Sequence, residues 1–297
     1  MQFFFEVLIS GLLSGVMYSL VALGFVLIYK ASGVFNFAQG AMVFFAAATF
    51  VGLHEMGLNF WLALVVSLAA MVVLGLLIER IVLRPLVNQP QITLFMATIG
   101  LTFLLEGLSQ LLWGSQPHNL DLGIQDEPWQ WIADASGLNI SKFDVSAAGI
   151  AAALVTSLAL FFSRTRIGRA LRAVADDHQA ALAVGIPLQQ IWGIVWAVAG
   201  SVALVAGLLW GARNGVQYAL TFLALKALPV LILGGFESIP GAIVGGLIVG
   251  SSEKLAEVYI GPYVGGGIEG WFPYVLALLF LLVRPEGLFG EKRIDRV

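Results

Sequence analysis

Apolar residues recur along this chain in runs near the length that crosses a bilayer, about 20 residues, separated by polar or Gly/Pro-containing breaks. Nine runs stand out: Phe5 to Ile28, Gly40 to Glu55, Phe60 to Ile78, Ile92 to Trp113, Val145 to Phe162, Ile191 to Gly211, Tyr218 to Gly235, Gly241 to Glu257 and Trp271 to Val283. The second, eighth and ninth are short, so one of them is expected to be broken or only partly embedded, leaving eight or nine spans. The pattern predicts an all-α, polytopic membrane helix bundle, with residues 1–297 forming a single transmembrane domain. No cleavable leader is expected, because Met1 to Glu6 lacks a basic region and the run that follows is long enough to span.

Composition agrees with the pattern. Of 297 residues, 59% are hydrophobic and 11% charged, with mean hydropathy +0.93, whereas globular domains carry about 25% charged residues. The absence of cysteine excludes disulfides and thiolate chemistry. The net charge of -3 says little, but the placement of the cations says more. Putting the breaks after the odd-numbered spans in the cytoplasm places eleven cations inside: Lys30, Arg80, Arg84, Arg164, Arg166, Arg169, Arg172, Arg284, Lys292, Arg293 and Arg296. Lys142, Arg213 and Lys254 then lie on or near the outer side. The excess of Lys and Arg inside implies an outer N-terminus and an inner C-terminus if the span count is odd.

Two hydrophilic segments face opposite sides under this orientation. The outer one, residues 114–144, is acidic through Asp121, Asp126, Glu127 and Asp134, and carries Trp129 and Trp131, residues suited to the headgroup level. A loop of this length is seldom structureless, so it is expected to be an amphipathic element or a docking surface, with a solvated connector as the alternative. Asn139-Ile140-Ser141 matches a glycosylation triplet that also arises by chance. The inner segment, residues 163–190, carries Arg164, Arg166, Arg169 and Arg172. Its Ala- and Leu-rich composition favours helix, and Gly185 followed by Pro187 is a stop signal. Ala170, Val174, Ala181 and Val184 recur at helical spacing. This basic helix with an apolar stripe either docks into a partner or lies on anionic lipid.

Bond-breaking chemistry is hard to place on the chain. A nucleotide hydrolase usually needs Gly-x-x-x-x-Gly-Lys-Ser/Thr, and the sequence contains no Gly-Lys pair. His54, His118 and His178 are isolated in sequence, and neither His-Glu-x-x-His nor a Cys cluster is present, so no metal site is expected. Asp176 and Asp177 are adjacent, and adjacent residues on a helix point to different faces. What the sequence offers is binding and passage.

Lys226 lies near the middle of an apolar run, where an ammonium costs roughly 2.5 to 3.5 kcal/mol and normally faces protein or a hydrated path. It marks the pathway. Glu106, within the fourth run, is expected to neutralise Lys226, or else to stand alone as a protonated acid. Asn36, Phe37, Gln39 and Gly40 set polar and small residues between two apolar runs, as a substrate-contacting break or as an ordinary capped turn. Gly11 with Gly15, Gly241 with Gly245, and Gly246 with Gly250 have the spacing for close helix approach, and packing is the preferred role for them.

Several stretches together resemble the permease of branched-chain amino acid ABC importers, the high-affinity H-type subunit. They are Tyr18 to Gly24, Asn36 to Gly40, Glu79-Arg80 with Arg84-Pro85, Gly168 to Asp177 with Gly185-Ile186, Leu225-Lys226-Ala227 with Leu233-Gly234-Gly235, Ser238 to Gly241, and Arg284 to Gly287. Each is weak alone, but their order and spacing are specific, and the resemblance runs nearly end to end. It implies a subunit in the bacterial inner membrane that works with a second permease, two cytoplasmic ATPases and an extracytoplasmic solute-binding protein. It implies no cofactor on this chain, with ATP and Mg held by the ATPases, and no nucleic-acid partner. The inner segment would be the coupling helix lodged in an ATPase groove, with Arg166, Gly168, Arg169, Arg172, Asp176, Asp177 and Gly185 as its residues, and Asn36, Phe37, Gln39, Glu106 and Lys226 would line the path. Nucleotide binding would then shift the bundle between outward and inward openings. Two positions depart from the family pattern: Glu106 where an amide is more common, and Gln39 where histidine is common. Members of the family also import urea, short amides and aromatic acids, so cargo is left open. The rival from another class is a self-sufficient secondary transporter or channel that uses Lys226 and Glu106 as an ion-coupled pair.

Overall fold

A computed structural model describes residues 2–86, 89–176 and 178–290, with the side chains of residues 178 and 179 left aside. The helices, in chain order, are α1 (Gln2–Ser32), α2 (Gln39–Glu55), α3 (Phe60–Leu77), α4 (Gln91–Trp113), α5 (Gln130–Ser136), α6 (Lys142–Arg164), α7 (Arg166–Asp176), α8 (His178–Ala183), α9 (Leu188–Asn214), α10 (Leu223–Gly234), α11 (Ile239–Tyr259), α12 (Gly261–Val264) and α13 (Phe272–Val283). A π-helical stretch, Ile78–Leu83, and a 3-10 turn, Arg84–Leu86, prolong α3, and a second 3-10 turn, Tyr218–Phe222, leads into α10. Only isolated bridges pair as strands among the described residues. The all-α architecture read from the sequence is what the chain adopts.

Among the described residues five helices are long and apolar enough to cross a membrane: α1, α3 with its extension, α4, α6 and α9. Tyr218–Gly234 and Ile239–Tyr259 pass the same test together but meet at a bend of 113°. The two short apolar helices, α2 with 17 residues and α13 with 12, coincide with the second and ninth runs. The expected shortness of the eighth run is partly removed, because α11 reaches Tyr259 and has 21 residues.

The chain divides into two compact units. One comprises Met1–Ala22, Leu122–Thr156 and Leu225–Val297. Its centre is the crossing of α1 and α11, where a Cβ on Gly11 would lie 2.7 Å from the Gly250 carbonyl oxygen and one on Gly15 would lie 2.5 Å from that of Gly246. Contacts this close need glycine, because any side chain would push the two backbones apart. Within the same unit α10 and α11 form a hairpin: Gly245 abuts the Val230 carbonyl, Gly234 abuts Gly241, and Ser238 caps α11 by accepting from the Gly241 N–H at 3.0 Å. Gly235, at φ +100°, makes the turn. Its loops are tied down as well. The Glu257 carboxylate accepts the N–H groups of Gly267 at 2.8 Å and Glu269 at 3.0 Å, and Lys254 bonds Glu269 at 2.6 Å. The Asn139 N–H donates to Glu6 at 2.7 Å.

The second unit comprises Leu23–Asp121 and Ser157–Ala224. Here α9 is the central post, buried along most of its length and packed on α2 and α3. Gly75 of α3 lies against the Trp196 carbonyl of α9, Gly200 of α9 lies against the Met71 carbonyl of α3, and Gly207 seats α9 on the Val43 carbonyl of α2. The buried Trp192 indole donates to the Ala31 carbonyl at 2.8 Å, fixing the N-terminal end of α9. The outward side chains of α3, among them Trp61, Val65, Val73 and Leu77, are exposed and apolar, as a lipid-facing helix requires.

Candidate translocation site

In the first unit the buried polar chemistry gathers around Lys226. Its Nζ lies 3.0 Å from Oε1 of Glu253 on α11 and 3.4 Å from the Tyr18 hydroxyl on α1. Tyr18 donates to the same Oε1 at 3.2 Å, and the ammonium sits 5.8 Å from the centre of the Tyr18 ring. The glycine contacts described above bring α1, α10 and α11 near enough for the three side chains to meet. Burial in the pair is unequal. The Glu253 side chain is 3% exposed and the Lys226 side chain 36%. The second carboxylate oxygen, Oε2, is enclosed and has no hydrogen-bond partner among the described residues.

The expected pairing of Lys226 with Glu106 is therefore corrected: the counter-charge comes from Glu253, a residue the sequence reading passed over. Glu253 sits close to Lys254 and Glu257, near the polar end of its run, and so reads as part of a helix terminus. The available signal was that the next apolar run holds one carboxylate a full turn inside its charged end. Glu106 belongs to the second unit. It is buried, with the hydroxyls of Tyr218 and Thr221 beside it, although Thr221 Oγ1 makes no hydrogen bond of good geometry. Tyr218 also lines a small surface pocket with Phe44, Gln110, Trp113, His118 and Gln217.

The break between α1 and α2 is built in the second unit. Asn36 and Gln39 are fully buried. The Asn36 Oδ1 accepts from the Ala38 N–H at 3.1 Å and its amide donates to Gln39 Oε1 at 3.3 Å, so Asn36 holds the turn that starts α2. Thr98 on α4 accepts from the Phe37 N–H at 3.3 Å. Around this turn the rings of Phe25, Phe35, Phe37 and Phe95 form a continuous series with centroids 4.8 to 4.9 Å apart. Gln39 Nε2 is buried beside Gly24 without a partner among the described residues, so the break keeps an unused donor. Gly40 meets the Thr221 backbone, which joins the break to the turn that carries Tyr218.

The inner segment is helical over Arg166–Asp176 and His178–Ala183. Its apolar stripe is split: Val174 and Ala181 are buried, as is Leu171, and α7 and α8 pack on α9 of their own chain, while Val184 and Leu182 project outward at 76% and 55% exposure. Arg166, Arg169, Arg172 and Asp176 are exposed, and Arg172 reaches the Ser163 carbonyl at 3.4 Å. Gly168 packs against the Phe162 backbone, where any side chain would collide, and Gly185 takes φ +83° after α8. Asp177 lies outside the described residues. Pathway and inner-segment residues thus fall into separate clusters, each assembled by its own helices.

The family described as "Branched-chain amino acid transport system / permease component" matches residues 7–284. The chain belongs to this permease family. Among its relatives, the high-affinity branched-chain amino acid transport system permease protein LivH of Salmonella typhimurium is 28% identical over 99% of this chain and 98% of its own length. The corresponding protein BraD of Pseudomonas aeruginosa is 30% identical, again over 99% and 98%. A more distant relative, the fructose import permease protein FruF of Bifidobacterium longum, is 25% identical over 83% of this permease and 69% of its own length. Both units of the permease lie largely within the matched range, as do the helices that carry Lys226 and Glu253. The permease is a multi-pass inner-membrane protein and a transport component rather than an enzyme.

Proposed function

We propose that this chain is the transmembrane permease subunit of an ATP-driven importer of branched-chain or related amino acids, and that it forms half of the translocation path beside a second permease. Two cytoplasmic ATPases would bind ATP and Mg and supply the work, and an extracytoplasmic solute-binding protein would deliver the cargo. The observation that carries this reading is the near-complete alignment with branched-chain amino acid permeases, over 99% of the chain for the two bacterial relatives. The inner segment supports it, because α7 and α8 keep their arginines and the Leu182 to Gly185 tip exposed, as an element that meets a partner must. In this reading Lys226 lines the path with its exposed side.

The alternative, an ion-coupled carrier built on Lys226 and Glu106, loses its central pair, since Lys226 is matched by Glu253. Proteoliposomes separate the two. With the second permease, ATPases and binding protein present, leucine uptake is expected to follow ATP hydrolysis. Uptake driven by an ion gradient through this chain alone would overturn the importer reading.

A further inference from the structure

An ammonium has three donors, and among the described residues two acceptors meet that of Lys226: Glu253 Oε1 at 3.0 Å and the Tyr18 hydroxyl at 3.4 Å. The Lys226 side chain is 36% exposed, which leaves room for the third donor to be met from outside the cluster. A charge left open at this depth is not stable against lipid and needs water or a polar ligand. The carboxylate that holds it is lopsided in its own bonding. Oε1 takes both donors while the enclosed Oε2 takes none.

We infer that Lys226, Glu253 and Tyr18 form a carboxylate-exchange site, in which the α-carboxylate of an amino-acid cargo approaches the Lys226 ammonium from its exposed side and displaces Glu253 from the ammonium. This rests on the chain being an amino-acid permease. The exchange replaces one ammonium–carboxylate bond by another, so the ion pair is never broken without a substitute, which avoids the heavy penalty of an unpaired buried charge. A zwitterion completes the exchange. As its carboxylate engages Lys226, its ammonium meets Glu253, the carboxylate just released. Urea, simple amides and sugars carry no carboxylate able to displace Glu253, so the cluster sorts zwitterionic and acidic cargo from neutral cargo. Such a site adds selection within the membrane to whatever the binding protein performs.

The test uses the assembled, nucleotide-free importer in nanodiscs and follows acylation of the Lys226 amine by mass spectrometry. Three probes dissect the contacts: leucine, 4-methylpentanoate with the carboxylate alone, and leucinamide with the ammonium alone. Leucine and 4-methylpentanoate are expected to slow Lys226 acylation, and leucinamide is not. Because Glu253 and the probe compete for one ammonium, Glu253→Gln is expected to tighten 4-methylpentanoate binding by about tenfold, within the usual span of coupling between two ligands of one site. Lys226→Gln is expected to abolish that binding, read by titration calorimetry. A purely structural ion pair would weaken binding in both variants, and that result overturns the proposal, as does equal protection by leucinamide. If Glu253→Gln does not assemble, Tyr18→Phe removes a milder competitor and is expected to bind 4-methylpentanoate at least as tightly as the parent; weaker binding again counts against exchange. ATP-driven leucine uptake by the same preparation is measured alongside. Uptake without Lys226 protection sinks the exchange site alone, whereas absent uptake with all partners present sinks the importer reading beneath it.

Discussion

Lys226 keeps one face open while Glu253 keeps none, so the two sides of this ion pair respond differently to substitution. Removing the cation strands an enclosed carboxylate, which costs about 3 kcal/mol, the lower end of the usual range because the partner is partly exposed. Lys226→Met is therefore expected to lower thermal stability in detergent and to abolish transport. The double variant Lys226→Met with Glu253→Met should recover the melting temperature without recovering transport, since hydrophobic replacement of a buried pair is often neutral. If transport returned with stability, the pair would be structural only. Gly15 makes a different kind of demand. A Cβ there would sit 2.5 Å from the Gly246 carbonyl oxygen, so Gly15→Leu should separate α1 from α11 and destabilise by about 1 to 3 kcal/mol, read as a fall in melting temperature. An unchanged value would mean that the crossing is looser than described. Lys226 was legible in the sequence because a lone charge in an apolar run has few explanations. Glu253 was not, because linear spacing places it with the charges of a helix end and does not say which of them turns inward.

At the scale of elements, α7 and α8 show how far a hydrophobic stripe can be read. Its presence was legible. Its destination was not, since a stripe looks the same whether it is covered by a partner, by lipid or by its own chain. Here Val174 and Ala181 go to the protein's own interior, and Leu182, Val184 and the arginines are what remains for a partner. Charge reversal at Arg169 and Arg172 is accordingly expected to leave the assembled complex hydrolysing ATP while leucine uptake falls on the order of tenfold, the size of a typical coupling factor. Equal loss of both activities in native membranes, with full coupling restored in liposomes of zwitterionic lipid, would assign these arginines to anionic headgroups instead. The break after α1 was legible as a break from its polar residues. Its aromatic surround was not, because Phe25 and Phe95 join Phe35 and Phe37 only through tertiary packing.

For the molecule as a whole, hydropathy located nearly every long helix, because in a bilayer backbone satisfaction and apolar length are the same requirement. The cation bias makes a topological prediction that the cysteine-free background allows to be tested cleanly. A single cysteine at Asp134 should react with an impermeant maleimide in intact cells, and one at the exposed Leu182 only after permeabilisation. The reverse pattern would invert the orientation. Hydropathy was silent on one internal feature, the π-helical stretch Ile78–Leu83. An α-helix returns to the same face every 3.6 residues, and a π turn shifts that phase by one residue. Within it Glu79 is enclosed, and just beyond it Arg84 bonds Gln189 at the start of α9. Deleting one residue here would keep length, charge and apolarity almost intact yet swing Arg84 about a quarter turn off Gln189, disconnecting the third helix from the base of the central post; a protein that is unremarkable in composition would have lost its mechanical linkage.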